Sequence, residues 1–419
     1  MNADYPKLSS SIVEHNFNNP SQIVFETTEK CNLACRYCTF RELYSHHDNR
    51  GVDGQRDLNS EDAITLMNYY IERWKRIDCP HNNVYISFYG GEPLLNFNLI
   101  KNVVELTQQQ KHLIHINPIF TITTNATLLC QHIDFLVENN FQILISLDGD
   151  RSGNALRIFA GGQESFSVVI KNIREIRRKY PEFYKRNISF NSVLHQDYNL
   201  SSLFDFFEKS LKKRPMFSTI NPSSINESYQ DEFNSMKVDF NTAIKELSKD
   251  NSNKIWNEYM GNNPYVTEIT SYIFNESGNV YNDLNSLLLG KSIKPGVFLS
   301  GTCLPFAKKV FLTARGLILP CERISHNNSL GVVSHGKILI NYAEVANKYN
   351  NIYRKLSSQC HLCENNKTCL SCVFQDDTFC LTGKCGSYSS NKRLHSLYKE
   401  ILFSHPELYA KIMHELVVN

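Results

Sequence analysis

Residues 21–38 read SQIVFETTEKCNLACRYC, a β-type run that leads directly into a loop with three cysteines. Further β-type runs follow, separated by amphipathic helical stretches, as far as about residue 222. This βα alternation predicts a parallel sheet covered by helices. The predicted strands are 22–27, 84–89, 119–124, 141–147, 188–194 and 216–221, and the predicted helices are 60–76, 97–109, 131–139, 166–179 and 200–212.

The number of βα units limits the architecture. Six units are fewer than the eight that close a barrel, so the sequence predicts an α/β fold with a partial (β/α)6 TIM-like barrel. The region after the barrel is polar, then rich in cysteine, and finally helical with a break at Pro406. The predicted domains are the barrel at 1–222, a connector at 223–295, a small cysteine-rich domain at 296–390 and a C-terminal helical segment at 391–419.

Charge and hydropathy exclude several classes of protein. The 419 residues include 44 Lys and Arg against 42 Asp and Glu, a formal net charge of +2, which argues against a nucleic-acid partner bound by a basic face. No apolar run reaches the roughly 18 residues of a membrane span, and the start lacks the layout of a secretory signal. We therefore predict a cytoplasmic protein without a membrane partner. Thirteen cysteines in a reducing compartment indicate metal binding rather than disulfides.

Cys31, Cys35 and Cys38 have C-x3-C-x2-C spacing in the loop CNLACRYC. Thiolates on one tight loop can hold three irons of a [4Fe-4S] cube and leave the fourth iron without a protein ligand. An open iron offers a coordination position to a substrate or a cofactor. A zinc site completed by His46 or His47 is the alternative.

Eight cysteines form a second, later group. Cys303 is followed after twelve residues by Gly316 and, after four more residues, by Cys321. Eight thiolates can ligate two four-iron cubes, or a pair of zinc ions as the alternative. Cys79 and Cys130 fit neither group, and we expect them to be buried core thiols. The remaining late cysteines are Cys360, Cys363, Cys369 and Cys372 with C-x2-C-x5-C-x2-C spacing, followed by Cys380 and Cys385.

Three polar segments lie at the carboxyl ends of predicted strands: YGGEPLL at 89–95, TTNATLL at 123–129 and SLDG at 146–149. Glycines at a strand end allow a backbone to approach a ligand closely. Ligands of parallel βα folds collect at this end of the strands. The segments therefore predict a binding site beside the first cysteine loop.

Together these motifs resemble the radical S-adenosylmethionine enzymes, over roughly the first half of the chain. The resemblance implies that the open iron chelates the amino and carboxylate groups of S-adenosylmethionine. It implies that the GGE segment meets the methionine amino group, and that Ser146 and Arg157 contact the carboxylate or the ribose. The residues expected at the S-adenosylmethionine site are Tyr37, Gly90, Gly91, Glu92, Asn125, Ser146, Asp148 and Arg157.

The late cysteines resemble the SPASM extension, which binds two auxiliary [4Fe-4S] clusters in radical enzymes that act on peptides. The resemblance implies that Cys303, Cys321 and Cys372 hold the cluster nearer the active site. Cys380 is expected to supply the eighth ligand, most simply to that cluster, with an exchange of roles with Cys372 or Cys385 as the alternative. Two residues rather than the usual three precede Cys372, and the gap to Cys385 is short. The distal cluster would be held by Cys360, Cys363, Cys369 and Cys385.

The family chemistry implied is hydrogen abstraction by a 5′-deoxyadenosyl radical, with three [4Fe-4S] clusters, S-adenosylmethionine and a reducing partner such as flavodoxin or ferredoxin. The leading hypothesis is a maturase that oxidatively modifies or cross-links side chains of a ribosomally made peptide. The second is an anaerobic sulfatase-maturating enzyme that forms formylglycine, and the third is a non-catalytic zinc-binding module. Because only about twenty residues precede the first strand in this sequence, we expect no small leader-binding domain before it.

Glu322 follows Cys321 in LPCERI, where sulfatase-maturating enzymes carry an aspartate that deprotonates the substrate. A carboxylate beside a cluster cysteine can act as a general base if a dry site raises its pKa. The alternative role is a surface salt bridge. The longer glutamate favours a peptide modification other than sulfatase maturation.

Overall fold

The computed structural model separates into two compact units. The barrel unit comprises Ser11–Asn262 and Leu304–Tyr342, and the cysteine-rich unit comprises Met1–Ser10, Asn263–Cys303 and Ala343–Asn419. The structure describes residues 7–44, 56–76, 81–196, 198–222, 224–238, 269, 272–273, 283–289, 302–363, 372–374, 379, 382–386 and 392–413.

Six parallel strands form the centre of the barrel unit, each paired with the next one along the chain. The registers include Phe25 opposite Phe88 and Ser146 opposite Asn191. This arrangement confirms the predicted parallel α/β fold. The strands are β1 Gln22–Thr28, β2 Asn83–Gly90, β3 Asn117–Thr124, β4 Gln142–Ser146, β5 Ile188–Leu194 and β6 Pro215–Thr219.

Four short strands extend the sheet beyond β1, so that its order is β10-β9-β8-β7-β1-β2-β3-β4-β5-β6. The first of them pairs in parallel with β1, with Val310 opposite Ile23, and the others continue as antiparallel neighbours. They are β7 Val310–Leu312, β8 Leu317–Leu319, β9 Gly331–Ser334 and β10 Lys337–Leu339.

This extension differs from the predicted domain boundary. The cysteine-rich domain predicted at 296–390 includes residues 304–342, whereas the structure places these residues in the barrel unit. The reason is that β7 supplies hydrogen-bond partners to the edge of β1, which would otherwise present unpaired backbone groups.

Helices follow the strands at close to the predicted positions, and the helix predicted at 166–179 has the same bounds in the structure. Two helices that the sequence reading did not include are α1 and α6. The predicted break at Pro406 separates the last two helices. The helices are α1 Ser10–Asn18, α2 Ser60–Trp74, α3 Phe97–Gln110, α4 Leu129–Glu138, α5 Phe166–Lys179, α6 Pro181–Asn187, α7 Leu200–Phe206 with a π-helical turn Phe207–Leu211, α8 Gln230–Met236, α9 Leu284–Leu289, α10 Tyr342–Leu362, α11 Lys392–Ser404 and α12 Pro406–Ile412.

The two faces of the sheet differ in chemistry. On the helix side, the ring of Phe88 stacks on those of Phe25 and Phe141, with centroids 6.0 and 5.9 Å away, and Phe135 of α4 lies against Phe141. Because side chains alternate along a strand, the opposite face carries the intervening polar residues. There Ser87 accepts hydrogen bonds from Gln22 at 2.8 Å and from Thr121 at 2.7 Å. A polar inner face is suited to a buried site.

No helix in the described part of the chain combines the length and the apolar character needed to cross a bilayer.

Candidate active site

The first cysteine loop begins directly after β1 and is held by backbone hydrogen bonds to a segment that follows β4. Ala34 N–H donates to the carbonyl of Ile158 at 2.6 Å, and Arg36 N–H donates to that of Leu156 at 3.0 Å. A tight turn joins Cys35 to Cys38, whose N–H donates to the Cys35 carbonyl at 3.1 Å. The loop is therefore shaped by local turns and a distant backbone segment.

The three thiols sit in a largely buried environment that disfavours free thiolates. Burial raises the pKa of Cys31 to about 12 and that of Cys35 to about 11, and it also raises the pKa of Cys38. The charges of Cys35 and Cys38 add to the rise at Cys31, so the sulfurs lie within electrostatic reach of one another. A bound metal group would supply the positive charge that stabilises three neighbouring thiolates.

Two N–H donors point at these sulfurs. Asn125 Nδ2 lies 3.8 Å from Cys31 Sγ, and Arg157 Nη1 lies 3.9 Å from Cys35 Sγ. Hydrogen bonds to ligand sulfurs are typical of iron–sulfur sites. The donor set therefore fits a cluster held by Cys31, Cys35 and Cys38.

The spacing of the sulfurs bears on the zinc alternative. Zinc binds sulfur at about 2.3 Å, so three sulfurs on one zinc ion would all lie within 4.8 Å of one another. Among the described residues the three sulfurs do not form such a group. His46 and His47, the candidate fourth zinc ligands, lie outside the described residues.

Gly90 and Gly91 bring the end of β2 against the backbone just before the cysteine loop. Gly91 N–H donates to the Thr28 carbonyl at 2.9 Å. A Cβ at Gly90, where φ is +136°, would lie 2.3 Å from the oxygen of Thr28, and one at Gly91 would lie 2.2 Å from that of Lys30. Side chains are excluded here because the backbone of the cysteine loop occupies the space.

Glu92 is fully buried and joins the carboxyl ends of β2 and β3. Its carboxylate accepts hydrogen bonds from Asn125 N–H at 2.7 Å, the Thr124 hydroxyl at 2.7 Å and Leu94 N–H at 3.1 Å. Burial raises the pKa of Glu92 to about 7, although these three donors act to lower it. The carboxylate therefore orders the strand ends around Asn125, whose amide reaches Cys31.

Tyr37, Asp148 and Arg157 form a buried network beside Cys35. Both the Tyr37 hydroxyl and Arg157 Nε, the latter at 2.9 Å, donate to the same oxygen of Asp148. Burial acts to lower the pKa of Arg157, but the Asp148 carboxylate holds it well above its ordinary value. The guanidinium also lies over the Tyr37 ring, 5.4 Å from its centroid. Ser146, half-buried, lies nearby in sequence at the end of β4.

The structure therefore brings most of the predicted S-adenosylmethionine residues to the end of the sheet that carries the first cysteine loop. All of them belong to the barrel unit.

Cys321 and Glu322 follow β8 in the barrel unit. Lys309 Nζ lies 3.0 and 3.2 Å from the two carboxylate oxygens of Glu322. Burial acts to raise the pKa of Glu322, but the Lys309 ammonium lowers it below its ordinary value. The condition of a raised pKa is therefore not met. The salt bridge predicted as the alternative role is present, and it is mostly buried, since the Glu322 side chain is 20% exposed.

Tyr89 was missed by the sequence reading, although it immediately precedes the GGE segment. Burial, with the charges of Glu322 and Cys38, raises the pKa of Tyr89 to about 12. Its hydroxyl is thus within electrostatic reach of both the first cysteine loop and Glu322. Lys309 was missed as well, because thirteen residues separate it from Glu322 and no local pattern joins the two.

Glu26, Glu29 and His326 bring their ligand atoms within 4.8 Å of one another. The Glu29 carboxylate is paired with the Arg315 guanidinium at 2.7 Å, and Glu26 accepts a hydrogen bond from Ala314 N–H at 3.0 Å. These contacts tie the end of β1 to the turn between β7 and β8 and explain the cluster as a charge network.

In the cysteine-rich unit, two pairs of predicted ligands lie in common surroundings. The charges of Cys303 and Cys372, after burial, help raise the pKa of Tyr353 to about 12, and Val373 N–H donates to the Thr302 hydroxyl at 3.0 Å. Cys360 is buried in a small apolar cluster against which Cys385 packs.

The other late cysteines and the two unassigned cysteines are compared with their predictions in turn. Cys363 N–H donates to the Cys360 carbonyl at 3.2 Å. The described cysteines form no disulfides. Cys130 is half-buried rather than fully buried, and its thiol lies 3.6 Å from the Asn172 carbonyl. Cys79, Cys369 and Cys380 lie outside the described residues.

Fold and site together define a partial βα barrel that carries a half-buried three-cysteine loop at one end of its sheet. Residues 25–209 match the model of the Radical SAM superfamily. The chain thus carries a radical SAM domain over this part of its length. This family binds a [4Fe-4S] cluster and S-adenosylmethionine.

Two curated relatives match parts of the chain. The radical SAM cyclopropyl synthase TigE of Paramaledivibacter caminithermalis is 28% identical over 193 residues, which are 44% of this chain and 36% of that protein. An uncharacterised protein of Methanocaldococcus jannaschii is 30% identical over 152 residues, which are 36% of this chain and 46% of that protein. The chain thus spans less than half the length of either relative.

Solved structures show a more extensive likeness. Native anSMEcpe with bound AdoMet, an anaerobic sulfatase-maturating enzyme, has a TM-score of 0.64 at 20% identity and covers 93% of this chain and 98% of its own. The same protein with AdoMet and the Cp18Cys peptide gives a TM-score of 0.64 at 18% identity with the same coverage. The chain therefore shares its fold with that protein along most of its length.

Proposed function

We propose that this protein is a radical S-adenosylmethionine peptide maturase that oxidatively modifies or cross-links side chains of a ribosomally made peptide. The observation that carries the proposal is the position of buried Tyr89, within electrostatic reach of both Cys38 and Glu322. Tyr89 is thus close enough to interact electrostatically with both the first cysteine loop and the segment that holds Cys321. A substrate bound near both could lose a hydrogen atom on the side of the first cysteine loop and a proton to Glu322.

In the proposed site, Cys31, Cys35 and Cys38 hold the first cluster. When bound, the cluster and S-adenosylmethionine supply a 5′-deoxyadenosyl radical that abstracts a hydrogen atom from the substrate. Asn125 and Arg157 direct N–H groups at the ligand sulfurs. Gly90 and Gly91 keep side chains away from the loop, and the remaining S-adenosylmethionine contacts proposed are Tyr37, Glu92 and Ser146. Asp148, predicted as a further contact, is enclosed by protein donors and is proposed to hold Tyr37 and Arg157 in place.

The late cysteines are proposed to hold two auxiliary [4Fe-4S] clusters, which would accept the electron left on the substrate. The common surroundings of Cys303 and Cys372 support their assignment to one cluster. Cys321 and Cys380 are the other ligands that the sequence predicts for it. The packing of Cys385 against the apolar cluster around Cys360 supports the other set, completed by Cys363 and Cys369. A flavodoxin or ferredoxin is proposed as the reducing partner.

Glu322 is proposed as the base that removes the substrate proton. Its salt bridge with Lys309 keeps the carboxylate in the ionised form that accepts a proton, although the lowered pKa makes it a weaker base than the raised pKa expected from the sequence. After Glu322 has taken up the proton, the neighbouring Lys309 ammonium would favour release of that proton and restore the ionised carboxylate.

Formylglycine formation is the second candidate, and the extended fold likeness to anSMEcpe supports it. Glu322 in place of the aspartate of that class argues for a different modification.

The test is anaerobic reconstitution with iron and sulfide, followed by reaction with S-adenosylmethionine, dithionite and a peptide. One reaction contains a synthetic peptide encoded by a short reading frame beside the gene, and a second contains a cysteine-containing sulfatase peptide. We expect 5′-deoxyadenosine and loss of hydrogen from the first peptide by mass spectrometry. Modification of the sulfatase peptide alone would establish the second candidate. Stoichiometric zinc without charge-transfer absorbance would refute both.

A further inference from the structure

The Asp148 carboxylate is the centre of a buried hydrogen-bond network. Its side chain is 0% exposed, and one of its oxygens accepts a hydrogen bond from Val193 N–H at 2.8 Å. The other oxygen accepts from the Tyr37 hydroxyl and from Arg157 Nε. The carboxylate is thus enclosed by protein donors, an arrangement suited to fixing neighbours in place.

The guanidinium group of Arg157 makes two contacts, through different edges and in different directions. Nε is held by Asp148 at 2.9 Å, while Nη1 is directed at Cys35 Sγ from 3.9 Å. The planar fork of arginine makes these two contacts geometrically dependent, since fixing one edge orients the other. The Tyr37 ring below the guanidinium limits the remaining rotation.

Stability alone gives a weak reason for such a pair. Burying an aspartate and an arginine costs desolvation that their attraction offsets only in part, and an apolar pair of similar size is often as stable. Because Arg157 is also directed at a cysteine sulfur, the pair can affect the charge state of a cluster as well as stability. A cation and an N–H donor at a ligand sulfur favour the more negative state of a cluster.

We propose that Asp148 is a positioning residue that holds the Arg157 guanidinium against Cys35 and thereby raises the reduction potential of the first cluster. The step concerned is the transfer of one electron from a reductant to the oxidised cluster, without a proton or a bond change. The inference rests on the proposed function, because it requires the cluster at Cys31, Cys35 and Cys38. It extends the predicted roles of Asp148 and Arg157 from S-adenosylmethionine binding to control of the cluster.

The experiment is a dithionite titration of the full, reconstituted chain, followed by electron paramagnetic resonance. The first cluster is identified by the signal that changes when S-adenosylmethionine is added. In Arg157→Met, we expect the ratio of reduced to oxidised first cluster at a fixed potential to fall about tenfold, equivalent to 59 mV for one electron. Arg178→Met, a loss of the same charge at an exposed position of α5, is the control and should leave the ratio unchanged.

A double-mutant cycle tests whether Asp148 acts through Arg157. Without Arg157, Asp148→Asn removes a negative charge and should raise the potential. With Arg157 present, the same change also releases the guanidinium, so the rise should be smaller or reversed. Additive shifts would overturn the positioning role, and an unchanged potential in Arg157→Met would overturn the whole inference.

Two checks keep the outcomes distinct. If Arg157→Met does not load iron, Arg157→Lys keeps the cation but cannot span Asp148 and Cys35 together, and its ratio should also fall. A ratio equal to wild type in Arg157→Lys would contradict the proposal. A wild-type protein without any S-adenosylmethionine-sensitive iron signal would instead refute the proposed function.

Discussion

Lys309 Nζ lies 3.0 Å from one carboxylate oxygen of Glu322 and 3.2 Å from the other. Lys309 directly precedes β7, and Glu322 follows Cys321 after β8, so the antiparallel pairing of β7 and β8 brings the two side chains together. The contact keeps the carboxylate ionised although most of its surface is buried. An ionised, enclosed carboxylate beside a predicted cluster ligand can accept a substrate proton.

The first prediction concerns that proton transfer. Glu322→Gln preserves the size of the side chain but removes the proton acceptor, so modified peptide should fall by about 10²- to 10⁴-fold. Formation of 5′-deoxyadenosine should persist. The measurement is mass spectrometry of the peptide beside quantified 5′-deoxyadenosine, and Glu138→Gln, at an exposed position of α4, is the matched control. Undiminished product would leave Glu322 with its salt-bridge role only.

The second prediction concerns the first cysteine loop. Wild type should contain about twelve irons per chain, from three four-iron clusters. Changing Cys31, Cys35 and Cys38 to Ala should remove one cluster of iron and abolish S-adenosylmethionine cleavage, because the open iron is lost. Iron analysis and 5′-deoxyadenosine assays measure both effects. Cys130→Ala, a half-buried thiol outside both groups, should retain the full iron content. Retained cleavage in the triple variant would contradict the assignment.

A third prediction separates the auxiliary clusters from the first. Changing Cys360 and Cys363 to Ala should lower the iron content and stop most product formation. Reductive cleavage of S-adenosylmethionine should continue, since it requires only the first cluster. The two activities are compared in the same sample, after circular dichroism has established folding. If cleavage disappears from a folded variant, the division of roles between the clusters is wrong.

The fourth prediction follows from the tight approach at Gly91. In Gly91→Ala the new Cβ would meet the Lys30 carbonyl at 2.2 Å, so the backbone before Cys31 must move. We expect a destabilisation of about 1–3 kcal/mol and loss of iron from the first cluster. Gly161→Ala is the control, because its Cβ would meet only the side chain of Gln163. Iron content equal to wild type in Gly91→Ala would show that the loop adapts without displacement of its ligands.

The fifth prediction concerns pH. The pKa of Glu92 is about 7 in the folded protein, against an ordinary value of 4.5, so the folded state binds the proton more tightly than the unfolded state. Stability from this group is present below pH 4.5 and is lost as the pH rises through 7, by at most about 3 kcal/mol. Denaturant unfolding of cluster-free protein measures it.

In that experiment Glu92→Gln should lose this part of the pH dependence, so that its stability relative to wild type rises between pH 5 and 8. Glu105→Gln, on the exposed surface of α3, should follow the wild-type curve. Parallel curves for wild type and Glu92→Gln would refute the raised pKa.

Local sequence determined the central part of the fold. Strand and helix periodicities depend on neighbouring residues, and the predicted strands at 22–27 and 188–194 agree closely with β1 and β5. The three-cysteine spacing is local as well, since one tight turn places Cys35 and Cys38 together. For these features, residues within a few positions of one another determine the local geometry.

Tertiary structure decided the edge of the sheet. Strand β7 has three residues and pairs with β1 although 287 positions separate Val310 from Ile23. So short a run has little intrinsic preference, and its partner is chosen by the free hydrogen-bonding edge of β1. The sequence reading consequently placed residues 304–342 in another domain.

Tertiary structure also decided the chemistry around the first cysteines. Tyr37 and Asp148 are 111 positions apart, and Glu92 meets Asn125 across 33 positions. Motifs identified the residues separately, but the strength of a buried charge or hydrogen bond depends on distance, orientation and exclusion of water. Those quantities exist only once β1 to β4 are paired, which is why the contact of Arg157 with Cys35 was visible only in the folded chain.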